Sequence, residues 1–414
     1  MRPAAAKTGA LLPWVVKVAL MVAPLMLVFS AISDLPFLAH GKFGGHLIGR
    51  DFLNYWSGSK LLLSGRLSTL YDPAAYSAYL RQSWGEGFGA LSFSYPPTAL
   101  PFLSWLGLFP YGVALALWSV LGAGLLIAAG WPYTKRPWVL VSLLLAPAVL
   151  VCLDDGQNGL ITGAALVAAL RLLDRRPIVA GILIGLLTVK PQLGLLLPIA
   201  LLCAGRWKTI GSAAATAILF AALSVLLFGV EPWRLYLEKT IPYQSVLYHG
   251  DGMWRAMTPS PAVAMVVAGG AWPFAWIVQA LFSLAMIALV AMLFLRRRGG
   301  REIGAVDRIV LIAATFLATP YGFNYDMPAL ALCLLLASVA QSELDKSPAW
   351  RWGVALLWST PVLMVVVALW GLQTRHGWRP FATLAFAAGL ALIVRATYRE
   401  LFAGAIRSAW LSAS

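Results

Sequence analysis

The chain is short of charge. Only 11% of its 414 residues are Asp, Glu, Lys or Arg, where a soluble domain carries about 25%. Acidic residues are scarcest, 16 against 31 basic ones. This scarcity excludes a soluble globular domain. With 60% hydrophobic residues and a mean hydropathy of +0.80, the chain reads as an integral membrane protein with many spanning helices. Histidine is almost missing, at four residues, and there are three cysteines. Cys152, Cys203 and Cys333 lie in or beside apolar runs without metal-ligand spacing, so they read as packing residues. No His, Glu and Asp cluster specifies a metal, and no cofactor is expected. No internal repeat, low-complexity tract or soluble domain is visible, so 1–414 reads as a single membrane domain.

What is present is long apolar runs: 11–32, 111–131, 137–153, 157–173, 177–190, 191–204, 209–229, 273–295, 306–320, 327–340, 352–371 and 380–395. They predict an all-α polytopic protein of about 11–13 transmembrane helices. The first run is too long for a cleavable signal and lacks a clear small-residue cleavage site, so it reads as a retained helix. Several runs hold about 14 residues, roughly 21 Å of helix, short of the roughly 30 Å hydrocarbon core. Helices that short persist inside a bundle that borders a wet cavity. The stretch from Tyr95-Pro96-Pro97 to Pro110 is apolar but bracketed by prolines, and reads as re-entrant or interfacial.

The net charge of +15 comes from Lys and Arg flanking the spans rather than from a nucleic-acid surface, so no nucleic acid is expected as a partner. With both termini placed in the cytoplasm, 20 of the 31 basic residues fall inside, mostly in short loops, and ten of the 16 acidic residues fall outside. Two large external segments result, 33–95 and 230–272. Within the first, Phe52 to Leu63 and Ala74 to Leu80 read as short amphipathic helices on the membrane interface.

The unusual polar residues then gather on one side. Asp51 opens the run Asp51-Phe52-Leu53-Asn54-Tyr55-Trp56, and reads either as a general base or as a helix cap or Arg50 partner. Asp154 and Asp155 read equally as caps for a helix beginning near Gln157. Lys190 is flanked by apolar runs, which marks a site unless it snorkels to the interface. Asp326 is a site residue or a cap for the helix from Met327. His249, Asp251, Trp254 and Arg255 lie in the second external segment. His376 reads as solvated surface, and His40 and His46 carry no spacing signal. A lysine suits a phosphate-bearing ligand and an Asp suits proton abstraction from a hydroxyl. Trp56, Tyr71, Tyr95 and Trp254 are candidates for stacking on sugars, with packing the commoner role for any one of them.

At these residues the chain resembles a known family. The run Asp51 to Trp56, then Leu70-Tyr71-Asp72 and Tyr95-Pro96-Pro97, resembles the opening of the polyprenol-phosphate-mannose-dependent α-(1,2)-mannosyltransferases and their relatives, glycosyltransferase family 87 of the GT-C class. Gly156-Gln157-Asn158, Lys190-Pro191-Gln192 and Pro320-Tyr321 through Tyr325-Asp326 resemble it in the same order, so the resemblance spans about 50–340. It implies a GT-C bundle with a large first external loop and a multi-pass protein of the bacterial inner membrane. It implies a polyprenyl-phosphate-linked sugar donor, a glycolipid or glycan acceptor, inversion at the anomeric centre, and a base at the position of Asp51. Family members can carry a histidine near the last motif, where this chain has Asn324-Tyr325-Asp326. In the mechanism expected here, Asp51 is the base, and Lys190 with Arg255 meets the donor phosphate without a metal. Asn54, Tyr55, Tyr95, Gln157, Asn158, Gln192, His249, Trp254, Tyr325 and Asp326 line the substrates. Membrane lipids are the remaining partners. A lipid or sugar transporter and a lipid-diphosphate-dependent oligosaccharide ligase are the competing readings.

Overall fold

The computed structural model describes residues 13–25, 49–89, 91–250, 252–340, 342–374 and 380–398. His40, His46, Asp251, His376 and the part of the first apolar run beyond Leu25 lie outside the described residues.

Proline sets many of the helix starts, because at the first helical position its missing N–H would have no partner in any case. The chain runs through α1 (Trp14–Leu25) into a group of short helices: α2 (Phe52–Leu63), α3 (Leu67–Tyr71), α4 (Pro73–Trp84) and α5 (Leu100–Leu103). There follow α6 (Tyr111–Ala129), α7 (Pro137–Leu144), α8 (Pro147–Asp155), α9 (Gly159–Leu172), α10 (Pro177–Leu186), α11 (Leu197–Ala204) and α12 (Trp207–Phe228). A second short group comprises α13 (Glu231–Leu235), α14 (Ile241–His249) and α15 (Pro261–Val267). The last five are α16 (Trp272–Leu295), α17 (Ala305–Ala318), α18 (Pro328–Ala340), α19 (Pro348–Thr374) and α20 (Phe381–Thr397). Among the described residues there is no β-strand. The protein is all-α and polytopic, as its sequence predicts.

The helix lengths agree with the expectation that several apolar runs are short of a full crossing. Among the described residues α6, α12, α16 and α19 are long and apolar enough to cross a membrane alone, and α7 with α8 makes a fifth crossing if the pair is one span bent by 51°. The bend falls just before Pro147, whose ring removes a helical hydrogen bond. The runs 177–190 and 191–204 are two short apolar helical segments, as expected. They form α10 and α11, separated by tight turns on either side of Lys190. The short helices α17 and α18 are buried along almost their whole length, so protein rather than lipid surrounds them.

Two cores organise the bundle. The larger gathers Leu160, Val167, Ile309, Ala313, Leu332 and Phe386 around α9, α17, α18 and α20. The second lies under the first group of short helices and packs Phe52, Leu53, Tyr55, Tyr71, Tyr76 and Phe93 against Trp118 of α6. Here α2 departs from expectation. Its ends are those the sequence predicts, yet eight of its twelve residues are buried, so it is packed within the protein rather than laid along it. By contrast α4 keeps an exposed face, and the proline-bracketed stretch forms the short turns and helix from Pro97 to Leu108 that cover α2.

Candidate functional site

The site begins where residues 49–51 dock on the end of α8. Gly49 N–H donates to the Asp154 carbonyl at 2.7 Å, and Asp51 N–H donates to the Asp155 carbonyl at 3.1 Å. The close approach requires a residue without a side chain at Gly156. Its φ is +65°, and a Cβ there would stand 2.6 Å from that of Phe52. Tyr111 closes the dock from α6 by donating its hydroxyl to the Gly49 carbonyl at 2.7 Å.

Asp51 stands at the start of α2 but its side chain does not cap the helix. Its Oδ2 instead accepts from Gln157 Nε2 at 2.7 Å. On the other side of that amide, Gln157 Oε1 accepts from the Tyr55 hydroxyl at 2.6 Å, and the Tyr95 hydroxyl oxygen lies 3.1 Å from Oε1 and 2.6 Å from the Tyr55 oxygen. Burial raises the Asp51 carboxyl above the usual carboxylate range; the Gln157 hydrogen bond and the charges of Arg50 and Lys190 act in the opposite direction.

The expected cap role of Asp154 and Asp155 is corrected. Both belong to the last turn of α8, and the residue before α9 is Asn158. An ionised carboxyl at a helix C-terminus opposes its dipole, so neither residue acts as a cap there.

Lys190 lies between α10 and α11 and is 4% exposed, so it does not snorkel. Its Nζ donates to Asp326 Oδ1 at 2.5 Å and to Asn158 Oδ1 at 3.3 Å, and stands 4.9 Å from the centre of the Tyr325 ring. This differs from the expected open phosphate site: the ammonium is held in a buried ion pair. Asp326 serves two purposes, since its other oxygen accepts from Phe323 N–H at 3.2 Å and so closes its own turn. That turn is pressed onto α9, where a Cβ at Gly159 would lie 1.9 Å from the Tyr325 carbonyl oxygen. A cavity of about 10 Å³, room for one water, is bordered by Asp326, Thr315 and apolar side chains.

The structure thus brings together Asp51, Tyr55, Tyr95, Gln157, Asn158, Lys190, Tyr325 and Asp326. Asn54 is one turn away, but its side-chain Oδ1 accepts from the Tyr76 hydroxyl at 3.0 Å and ties α2 to α4. Gln192 is half-buried in the turn after Lys190. His249, Trp254 and Arg255 belong to a second group. The Arg255 guanidinium lies 5.5 Å from the Trp272 ring and donates to the His249 carbonyl, and Tyr248 packs 5.0 Å from Trp254. This group meets the site's last turn through Tyr248 and Tyr321, whose rings are 5.0 Å apart. Of the aromatic candidates, Tyr71 is fully buried and packs on Phe93, so it is a core residue.

Sequence reasoning missed Gly49, Tyr111 and the Tyr55–Tyr95 contact. A Gly directly before Arg50-Asp51 was the one legible signal; Tyr111 sits at the start of an ordinary apolar run. Among the described residues no group of three or more His, Cys, Asp or Glu is placed to hold a metal ion.

A family model described as glycosyltransferase family 87 matches residues 93–320, more than half of the chain. The matched stretch contains Tyr95, Gln157, Asn158 and Lys190, while Asp51 precedes it and Asp326 follows it. No curated protein and no solved structure matches the chain.

Proposed function

We propose the following reaction for this chain, which belongs to glycosyltransferase family 87 and is a membrane glycosyltransferase. A hexose, mannose being the first to test, passes from a polyprenyl-phosphate carrier to a glycolipid or glycan acceptor on the extracytoplasmic side of the bacterial inner membrane. The acceptor hydroxyl oxygen attacks the anomeric carbon from the face opposite the phosphate. The bond from that carbon to the phosphate oxygen breaks, the hydroxyl proton passes to Asp51, and the lipid phosphate leaves with the bonding pair. The anomeric centre inverts.

The observation that carries this reading is the Asp51 carboxylate. It is released from helix capping, fixed by one amide, and set where the Lys190 charge reaches it. An ammonium group has three N–H donors, of which Asp326 and Asn158 take two; the third is assigned to a donor phosphate oxygen. Such a contact contributes a few kcal/mol where charge develops on the leaving group. Arg255 and Trp254, set apart in their own group, would meet a more distal part of the substrates. One-sided access has support in the helix ends. The site lies at the start of α9 and just after α17, while Arg171, Arg175, Arg176 and Arg308 lie at their opposite ends, as basic residues facing the cytoplasm do.

The test is Asp51→Asn in purified protein given a panel of labelled polyprenyl-phosphate hexoses. Turnover should fall about 100- to 10,000-fold, the contribution of a positioned base, with donor binding retained. Normal turnover by this variant would remove Asp51 from the role.

A further inference from the structure

We propose that Gln157 is a positioning residue for the base. Tyr95, Tyr55 and Gln157 form a one-way hydrogen-bond chain that ends on Asp51 Oδ2 and leaves Oδ1 to take the acceptor proton. The proposal rests on Asp51 being the base.

The direction of the chain follows from what each group can donate. An ionised carboxylate only accepts, so the group facing Asp51 at 2.7 Å is the Gln157 NH₂. The amide oxygen is then turned toward the two phenols. Each phenol has one proton to give. Tyr55 is nearer to Gln157 Oε1, at 2.6 Å against 3.1 Å for Tyr95, so the Tyr55 proton goes to the amide. The Tyr95 proton goes to the Tyr55 oxygen, 2.6 Å away. Inverting the amide would set its oxygen against a carboxylate and forfeit the charge-assisted bond, so the amide admits one orientation. Gln157, Tyr55 and Tyr95 are held by packing. Gln157 is 7% exposed, Tyr55 packs 5.4 Å from Trp118, and Tyr95 packs 5.6 Å from Phe93. In a site screened from water each bond in the chain polarises the next.

This changes the role first expected for Gln157, Tyr55 and Tyr95. Their polar atoms face one another and Asp51, so they orient the base rather than line the substrate. The charged groups that face Asp51 are Arg50, Lys190, Asp155 and Asp326, and the phenols that face it are Tyr55, Tyr95, Tyr111 and Tyr325. All of these remain in Gln157→Leu, so a change in Asp51 titration in that variant reports the amide alone.

The experiment uses the full chain in lipid nanodiscs, with polyprenyl-phosphate mannose as the donor probe. Gln157→Leu should lower kcat about 100-fold, the cost of misaligning a reacting group, with KM within about threefold of wild type. The infrared band of the protonated Asp51 carboxyl, assigned by its loss in Asp51→Asn, should persist to higher pH in Gln157→Leu, because the lost N–H favoured the ionised form. Tyr95→Phe, which keeps the Tyr55 proton on the amide, should move both readouts in the same direction by less. A raised KM with unchanged kcat would make Gln157 a substrate ligand and overturn the proposal. So would wild-type kcat with an unmoved band. If Gln157→Leu does not fold, Tyr55→Phe and Tyr95→Phe carry the test, and unchanged readouts in both would overturn it. Full activity of Asp51→Asn would instead sink the base assignment, whatever Gln157 does.

Discussion

Asp51 and Lys190 are both named by short sequence runs, but neither run reveals what holds them. The partner of Asp51 is 106 positions away and that of Lys190 is 136 positions away. Distances of that kind are set by the fold, so the sequence offered a cap, an arginine partner and a base for Asp51 on nearly equal terms. The structure removes the cap reading and supplies the Gln157 amide as the partner of Asp51. Its consequence is a pH dependence. If Asp51 is the base it works ionised, and burial raises its carboxyl, so kcat/KM should fall as pH drops through a value above the ordinary Asp range of about 3.9. A pH–rate profile whose acid limb lies at or below that range would detach Asp51 from the rate. Lys190 makes a different prediction, because its pair with Asp326 is buried. Lys190→Met strands the Asp326 carboxylate and should cost about 3–5 kcal/mol in thermal unfolding. The double variant Lys190→Met/Asp326→Asn removes both charges and should recover most of that stability. If Lys190 also meets the donor, donor binding stays weak in the double variant; recovered binding would leave Lys190 a purely structural ion.

At the scale of elements, the sequence located α2 and misjudged its surroundings. Its Trp, Tyr and Phe side chains read as those of an amphipathic helix on the membrane interface. In the fold the Ser59 hydroxyl donates to the Ser104 carbonyl and accepts from Gly107 N–H, each at 2.8 Å, so a hydroxyl that looks wet is satisfied by the turns that cover it. Periodicity cannot separate those cases, because a helix shows the same polar stripe to water as to a segment with free backbone groups. The contact between the two groups of short helices was also illegible. Lys239 pairs with Asp72, Thr240 donates to the Tyr71 carbonyl at 3.1 Å, and Tyr236 packs 6.1 Å from Tyr71. Asp72 also caps α4 by accepting from Ala74 and Ala75. The Lys239 hydrogen bond and the cap lower its pKa, so its stabilising contribution is present above the usual carboxylate range and is lost as pH falls through the depressed value. Asp72→Ala should cost about 1 kcal/mol for the cap, measured by unfolding at neutral pH. The difference from wild type should shrink in acid. A constant difference down to low pH would show that the carboxylate is not the source. The contact of α9 with the Asp326 turn is more sensitive. Gly159→Ala places a Cβ on the Tyr325 carbonyl and should cost about 1–3 kcal/mol by overpacking, with activity lost as Asp326 and Lys190 shift. A stable, fully active Gly159→Ala would mean that the turn yields freely.

For the whole molecule, composition alone sufficed for the class: so few charges leave only a membrane-embedded bundle, and the structure is all-α. The shortness of several runs was legible as well, but the turns that end them were not. Apolar runs count segments, whereas crossing depends on length, and α10 and α11 stop at Lys190 well short of the roughly 30 Å needed. Their brevity has a physical counterpart, since a buried lysine needs polar partners at depth and breaks between helices supply turns on which to place them. The same bundle separates its charges. Asp174 pairs with Arg206 at 2.5 Å and Asp307 with Arg297 at 2.9 Å, at the ends of α9 and α17 away from Asp51 and Lys190. If Lys and Arg mark the cytoplasmic face, the end that holds Asp51 and Lys190 faces the opposite side, where the proposed lipid-linked sugar would be met. Single cysteines can read this out. Ser83 in α4 and Arg298 beyond α16 are both exposed, and Cys203 is the one native cysteine that is not buried. In a Cys203→Ser background, Ser83→Cys should react with a membrane-impermeant maleimide on intact spheroplasts. Arg298→Cys should react only after the membrane is opened. The reverse pattern would place the Asp51 site on the cytoplasmic side and require a donor presented from within.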